Sequence, residues 1–206
     1  MAKSLSKIIV GTQPWVGWAA AEWAAAAPDT RLVTLELQPN EHHHFDFASL
    51  EKYDPRTTTA FVACDDEFLT LHRKRLIEGL KKLGFALPSL IDRQALIAGD
   101  VEIPDNAWLR KGVIIGAGVR LETGVFADLG ALINSASTIS AYATLREGAS
   151  LGAQCKIGAR ATIGAGVRLE KDTEVSAQSR LLKPGVYKGK YAEIVFIEDR
   201  FEAAII

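Results

Sequence analysis

Histidine disappears from this chain after residue 72, cysteine occurs twice, methionine once, and neither sign of charge prevails in its 206 residues. With 24 Lys and Arg against 25 Asp and Glu, the net charge is -1, so nucleic-acid binding through clustered phosphate contacts is not expected. Cys64 and Cys155 stand far apart with no C-x-x-C, which excludes a disulfide framework and a zinc site and suits a reducing cytoplasm. No stretch approaches the roughly 18 to 20 uninterrupted apolar residues of a membrane span. Lys3 and Lys7 before an apolar stretch ending in Ala24 to Ala27 imitate a secretory signal, but Gln13, Pro14 and Glu22 interrupt it. A soluble protein with no membrane partner is therefore expected.

Aromatics are also unevenly missing. Of 16, nine precede Leu90 and only Trp108, Phe126 and Tyr142 lie between it and Val186. What replaces them is a period of six. An aliphatic recurs at Ile91, Ile97, Ile103, Leu109, Ile115 and Leu121, then from Ile133 through Leu145, Ile157 and Leu169 to Leu181. Sixteen hexads run without an insertion, and only Ala127 breaks the Ile, Leu or Val rule at the first position. The fifth position is always small or medium, as at Ala107, Val113, Ala143, Cys155 and Ala161. A strict period of six walks around a 3.6-residue helix, so it predicts short strands with first and fifth residues pointing inward. Three strands per coil make a triangular prism of a little over five coils. Gly116, Gly152, Gly158 and Gly164, at the second position, are expected at the corners because a tight turn favours positive φ.

The repeat explains two fragments that resemble a dinucleotide fingerprint. Both belong to identical GAGVRLE segments, beginning at Gly116 and Gly164 and separated by eight hexads. The sixth position, pointing outward, is apolar early on, at Leu96, Trp108, Ile114, Phe126 and Leu132, and polar later. The first coils are thus expected to pack on another surface, a neighbouring prism or the N-terminal region.

The first half alternates strands and helices. Strands are expected at Lys7 to Val10, Arg31 to Leu37 and Thr57 to Cys64, with helices from Pro14 to Ala27 and from Glu67 to Leu83, the latter closed by Gly84. Such a pattern makes a small parallel sheet, whose ligands gather at the carboxyl ends of its strands, here Gly11, Thr12, Gln13, Asp65 and Asp66. His42, His43 and His44 read as a solvated loop, since adjacent side chains diverge and cannot all ligate one metal. No metal is expected. His72 is expected at a surface, and Trp15, Trp18 and Trp23 in core packing, with Trp15 nearest the ligand-side loop.

A small βαβ domain, the RKRLIEGLKKLGF segment from Arg73, a Leu-Pro-x-Leu-Ile lead-in from Leu87, the hexad prism and a Pro-Gly-Val-Tyr-Lys-Gly stretch from Pro184 together resemble the hexapeptide-repeat acyltransferases, in particular the sialic-acid-type nucleotide-sugar acetyltransferases. The resemblance implies a small Rossmann-like α/β domain over 1–88, a left-handed parallel β-helix over 89–186 and a C-terminal tail with a short strand over 187–206. General rules on parallel crossovers would favour the opposite hand. It further implies transfer of an acetyl group from acetyl-CoA, a co-substrate, to an amino or hydroxyl group of a nucleotide-linked sugar. The sites would lie between subunits of a homotrimer in the cytoplasm.

The family's base histidine, carried onto this chain, falls at Ser135 of the hexad Ile133 to Thr138, and its carboxylate at Ala136. Asn134 and Ser135 are then the candidate catalytic pair. Thr144, where a second family histidine falls, Ala165 and Lys183 are the candidate CoA contacts. Gly11, Thr12, Gln13, Asp66 and Arg73 are the candidate substrate contacts, although only one glycine of the family's first turn remains. An amine already neutral can attack a thioester without a strong base, if Asn134 and Ser135 orient it. The alternative is a catalytically silent relative that binds a ligand or scaffolds partners.

Overall fold

The computed structural model describes residues 6–198, and the chain divides after Leu90 into two compact units. Lys3 and the last eight residues of the expected C-terminal tail, 199–206, lie outside the described residues.

The first unit holds β1 (Ser6–Gly11), α1 (Trp15–Ala26), β2 (Arg31–Glu36), β3 (Thr58–Ala63) and α2 (Glu67–Lys82). All three strands are parallel in the order β2-β1-β3, with Ile8 opposite both Val33 and Ala60. The central strand reads as a continuous apolar run because both its faces are covered; Ile8, Ile9 and Val10 are fully buried. Gly84, at φ 86°, follows the last turn of α2 and donates its N–H to the Lys81 carbonyl. At the other end of α2, Phe68, Leu69 and Thr70 take φ of 48, 54 and 57°, and the regular right-handed helix follows them.

The second unit is a parallel β-solenoid, the fold class expected from the period. Almost every hexad contributes a two-residue strand made of one sixth position and the next first position, Glu102–Ile103 being the exception. The first face stacks Leu96–Ile97, Ile114–Ile115, Leu132–Ile133, Ser150–Leu151, Arg168–Leu169 and Val186–Tyr187. The second begins at Arg120–Leu121 and ends at Lys190–Tyr191, and the third includes Trp108–Leu109, Phe126–Ala127, Thr144–Leu145 and Phe196–Ile197. Backbone bonds such as Leu132 N–H to the Ala149 carbonyl, 2.8 Å, tie each coil to the next. First and fifth positions fill the interior, with Leu109, Ile133, Leu145, Ala149 and Cys155 fully buried. The tail holds more than the one short strand expected of it: Val186–Tyr187, Lys190–Tyr191 and Phe196–Ile197 extend the three faces by another coil.

Two sequence expectations change. The left-handed turn sits at the fourth hexad position, occupied by Gly112, Gly118, Gly130 and Gly166 but also by Ala136, Tyr142, Gln154 and Asp172. The second-position glycines serve a different need, close approach of coils: a Cβ on Gly152 would stand 2.5 Å from the Lys171 nitrogen, and one on Gly158 2.3 Å from that of Ala177. The apolar sixth-position row also splits. Consecutive hexads lie on different faces, so Leu96 and Ile114 share the first face, 64% and 43% exposed, whereas Trp108 and Phe126 share the third and are buried, their rings 5.2 Å apart. Reading the hexads as one row mixes three surfaces.

Candidate active site

Asn134 and Ser135 follow the strand Leu132–Ile133, at the corner leading from the first face to the second. Residues eighteen apart stack on such a corner, so Asn134, Gly152 and Glu170 form one ladder. They line a surface cavity of about 660 Å³ with Ser150, Arg168 and Lys171. Gly152 leaves the middle rung without a side chain. The Asn134 Oδ1 accepts the Ser135 backbone N–H at 2.8 Å, which fixes the side chain and leaves its amide N–H groups to face a ligand. The Ser135 hydroxyl lies over Gly116 of the coil before, where a Cβ would come within 2.9 Å of its oxygen. The corner can hold a ligand, donate hydrogen bonds and meet anions with two cations; it contains no imidazole.

The candidate CoA contacts lie elsewhere. Thr144 is buried on the third face between Phe126 and Thr162. Ala165 and Lys183 stack eighteen residues apart on the corner leading from the third face to the first. Lys183 is exposed, and its carbonyl accepts the Tyr187 hydroxyl at 2.6 Å. Within one chain the two candidate groups therefore occupy opposite edges of the first face. Sequence reasoning missed Arg168 and Lys171, although they follow the GAGV segment of the repeat and its sixth-position rule places Arg168 outward.

In the first unit, Gly11 is held by packing: a Cβ there would reach within 1.6 Å of the Ala63 oxygen. Thr12 is half-buried, its hydroxyl 3.6 Å from the Cys64 sulfur, and Gln13 is exposed. Asp66 and Arg73 are buried. Burial lowers the Arg73 pKa and the Asp66 carboxylate opposes that shift, so the two charges face each other inside the unit. Burial raises the Cys64 thiol to about 12, which removes it as a nucleophile. His72 is buried rather than superficial, its Nε2 3.0 Å from the His43 Nδ1. The surrounding loop is fixed as well: the Asn40 Oδ1 accepts the N–H of His42 and His44, and Arg75 donates to the His42 carbonyl at 2.7 Å. The tryptophans also divide, since Trp23 packs edge-on to Phe61 while Trp18 is 45% exposed. Among the described residues no group of three or more His, Cys, Asp or Glu could hold a metal ion, and no helix is long and apolar enough to cross a membrane.

No family model matches the chain, nor does any curated protein. Solved structures do. The acetyltransferase domain of PglB from Neisseria gonorrhoeae superposes with a TM-score of 0.75 at 22% identity, covering 92% of this chain and 96% of that one. The same domain in complex with acetyl coenzyme A gives 0.74 at 21%, covering 92% and 95%. A mutant of GDP-perosamine N-acetyl transferase from Caulobacter crescentus, in complex with CoA and GDP-perosamine, gives 0.80 at 18%, covering 93% of both chains. At such identities these likenesses establish a shared fold, including the order of its two units.

Proposed function

We propose that this chain transfers an acetyl group from acetyl-CoA to an amino or hydroxyl group of a nucleotide-linked sugar, in the cytoplasm, as a homotrimer. The observation that carries this reading is the Asn134 corner cavity, with Arg168 and Lys171 on its wall, in a fold shared along its length with structures holding acetyl-CoA or CoA. The two cations would meet CoA phosphates. The separation of the Asn134 corner from the Ala165 and Lys183 corner, with exposed Leu96 and Ile114 on the face between them, favours a site completed by a neighbouring copy.

For an amine acceptor the nitrogen lone pair attacks the thioester carbonyl carbon, and the oxygen takes the negative charge. The carbonyl then re-forms, the C–S bond breaks and the CoA thiolate leaves, taking up the proton released from nitrogen. The Asn134 amide N–H would donate to the developing oxyanion, and the Ser135 hydroxyl would orient the acceptor. With no histidine after His72, the acceptor must arrive as the free amine. Turnover is therefore expected to rise with pH until the amine is fully deprotonated.

The missing imidazole also favours a second reading, a silent relative that binds a ligand without acting on it. A thiol-release assay with acetyl-CoA and a panel of nucleotide-linked amino and hydroxy sugars separates the two. Thiol release that depends on one acceptor is expected; none with any acceptor, from a protein that still binds CoA, would favour the silent relative.

A further inference from the structure

The first turn of α2 stands in a conformation that its sequence does not favour. Asp66 followed by Glu67 is a usual start for a right-handed helix, an acidic cap before an acidic first residue. Instead Phe68, Leu69 and Thr70 all lie in the left-handed region, which a residue with a Cβ adopts at a cost, and the Asp66 side chain makes no capping bond. A second observation agrees. Thr70 is fully buried, and its hydroxyl has no hydrogen-bond partner among the described residues. In a right-handed turn that hydroxyl comes within reach of the Asp66 carbonyl, four residues back.

What holds the turn is aromatic and comes from the 40–47 loop. The Phe68 ring packs on both His43 and His72, with centroids 4.4 and 4.8 Å away, and Phe45 meets His72 edge-on at 5.5 Å. The two imidazoles join through the 3.0 Å contact of His43 Nδ1 with His72 Nε2. His43 is itself left-handed, at φ 61°, and its N–H donates to the Asn40 carbonyl at 2.8 Å. One proton lies between the two ring nitrogens, so the contact survives one positive charge on the pair but not two, since neither nitrogen then accepts. Burial opposes a charge on His72, as do His43 from the loop and Arg75 from α2, while Glu67 favours one.

We infer that the His43–His72 pair is an acid-opened latch on the first turn of α2. When both rings are charged the loop releases, Phe68 loses its ring contacts, and Phe68, Leu69 and Thr70 wind right-handed, adding about one turn to the regular helix. The device lies within the first unit and does not depend on the acetyl-transfer reading.

Nuclear magnetic resonance of the full chain, with Cα shifts and backbone couplings read at Phe68, Leu69 and Thr70, tests the latch. The pH is lowered from neutral until the ring-carbon shifts of His43 and His72 both report a charged imidazole. The three Cα shifts should move together to right-handed-helix values as the second imidazole titrates, while the signals of β1 keep their positions. His43→Ala removes the latch, so its turn should be right-handed already at neutral pH and should not change on acidification. A turn that stays left-handed with both imidazoles charged overturns the inference. So does a left-handed turn in His43→Ala, which would show that other packing holds it. Loss of the β1 signals before or during the change overturns it too, since the unit would then unfold rather than rewind.

Discussion

Asn134 illustrates how a single residue can serve the backbone and a ligand together. Its side-chain oxygen is occupied by the Ser135 N–H, and that bond leaves the amide N–H groups to donate to a ligand in the corner cavity. Such a side chain was legible as a candidate because the histidine position of the resembled family falls at its neighbour Ser135. Asp66 and Arg73 show the reverse. Their types suggested ligand contacts, but a carboxylate and a guanidinium seven residues apart can satisfy each other in the interior, and sequence alone does not tell a buried pair from two exposed hands. His72 has the same ambiguity, and its burial has a measurable consequence. Desolvation first, then the adjacent His43 and Arg75, lowers its pKa, while Glu67 opposes them. A base with a depressed folded-state pKa binds more protons when unfolded, so its stabilising effect is complete above the unfolded value of about 6.5 and is lost as pH falls below it. The urea midpoint of the first unit should therefore decrease between pH 7 and 5.5, above the range where most carboxylates titrate. In His72→Gln this slope should flatten; an unchanged slope would show that the imidazole is not its source.

At the scale of elements, the hexad strands were readable because two independent positions, the first and the fifth, repeat together over ninety-six residues. The left-handed residue of each corner was misplaced because glycine answers two needs that look alike in sequence. At Gly166 it supplies a positive φ, and at Gly158 it supplies room for the coil beyond. The fourth position tolerates Ala136 and Gln154 at a conformational cost, whereas the second-position glycines face neighbouring backbone that cannot swing aside. Gly158→Ala should therefore destabilise the prism by about 1–3 kcal/mol, the usual penalty of overpacking, measured by denaturant unfolding of the full chain. A loss below about 0.5 kcal/mol, the size of an ordinary surface change, would mean that the coils can separate at that rung at little cost.

For the whole molecule, composition was a poor guide and order a good one. The balanced charge and the average hydrophobic content conceal an α/β unit and a solenoid whose apolar residues do different work. Architecture was legible because periodicity is a property of many residues, each of which can vary. The site was only partly legible, since it depends on which corner a residue occupies, and consecutive hexads alternate among three faces. That is why Asn134 and Ser135 were found together while Arg168 and Lys171, across Gly152 on the same cavity wall, were not. The central claim is that this corner receives a CoA thioester. Isothermal calorimetry of acetyl-CoA against the full chain, with Arg168→Ala and Lys171→Ala together as the control, tests it most directly. Saturable binding at one site per chain, weakened about tenfold or more by the double substitution, is the predicted result, and the absence of heat from any CoA thioester would contradict the account.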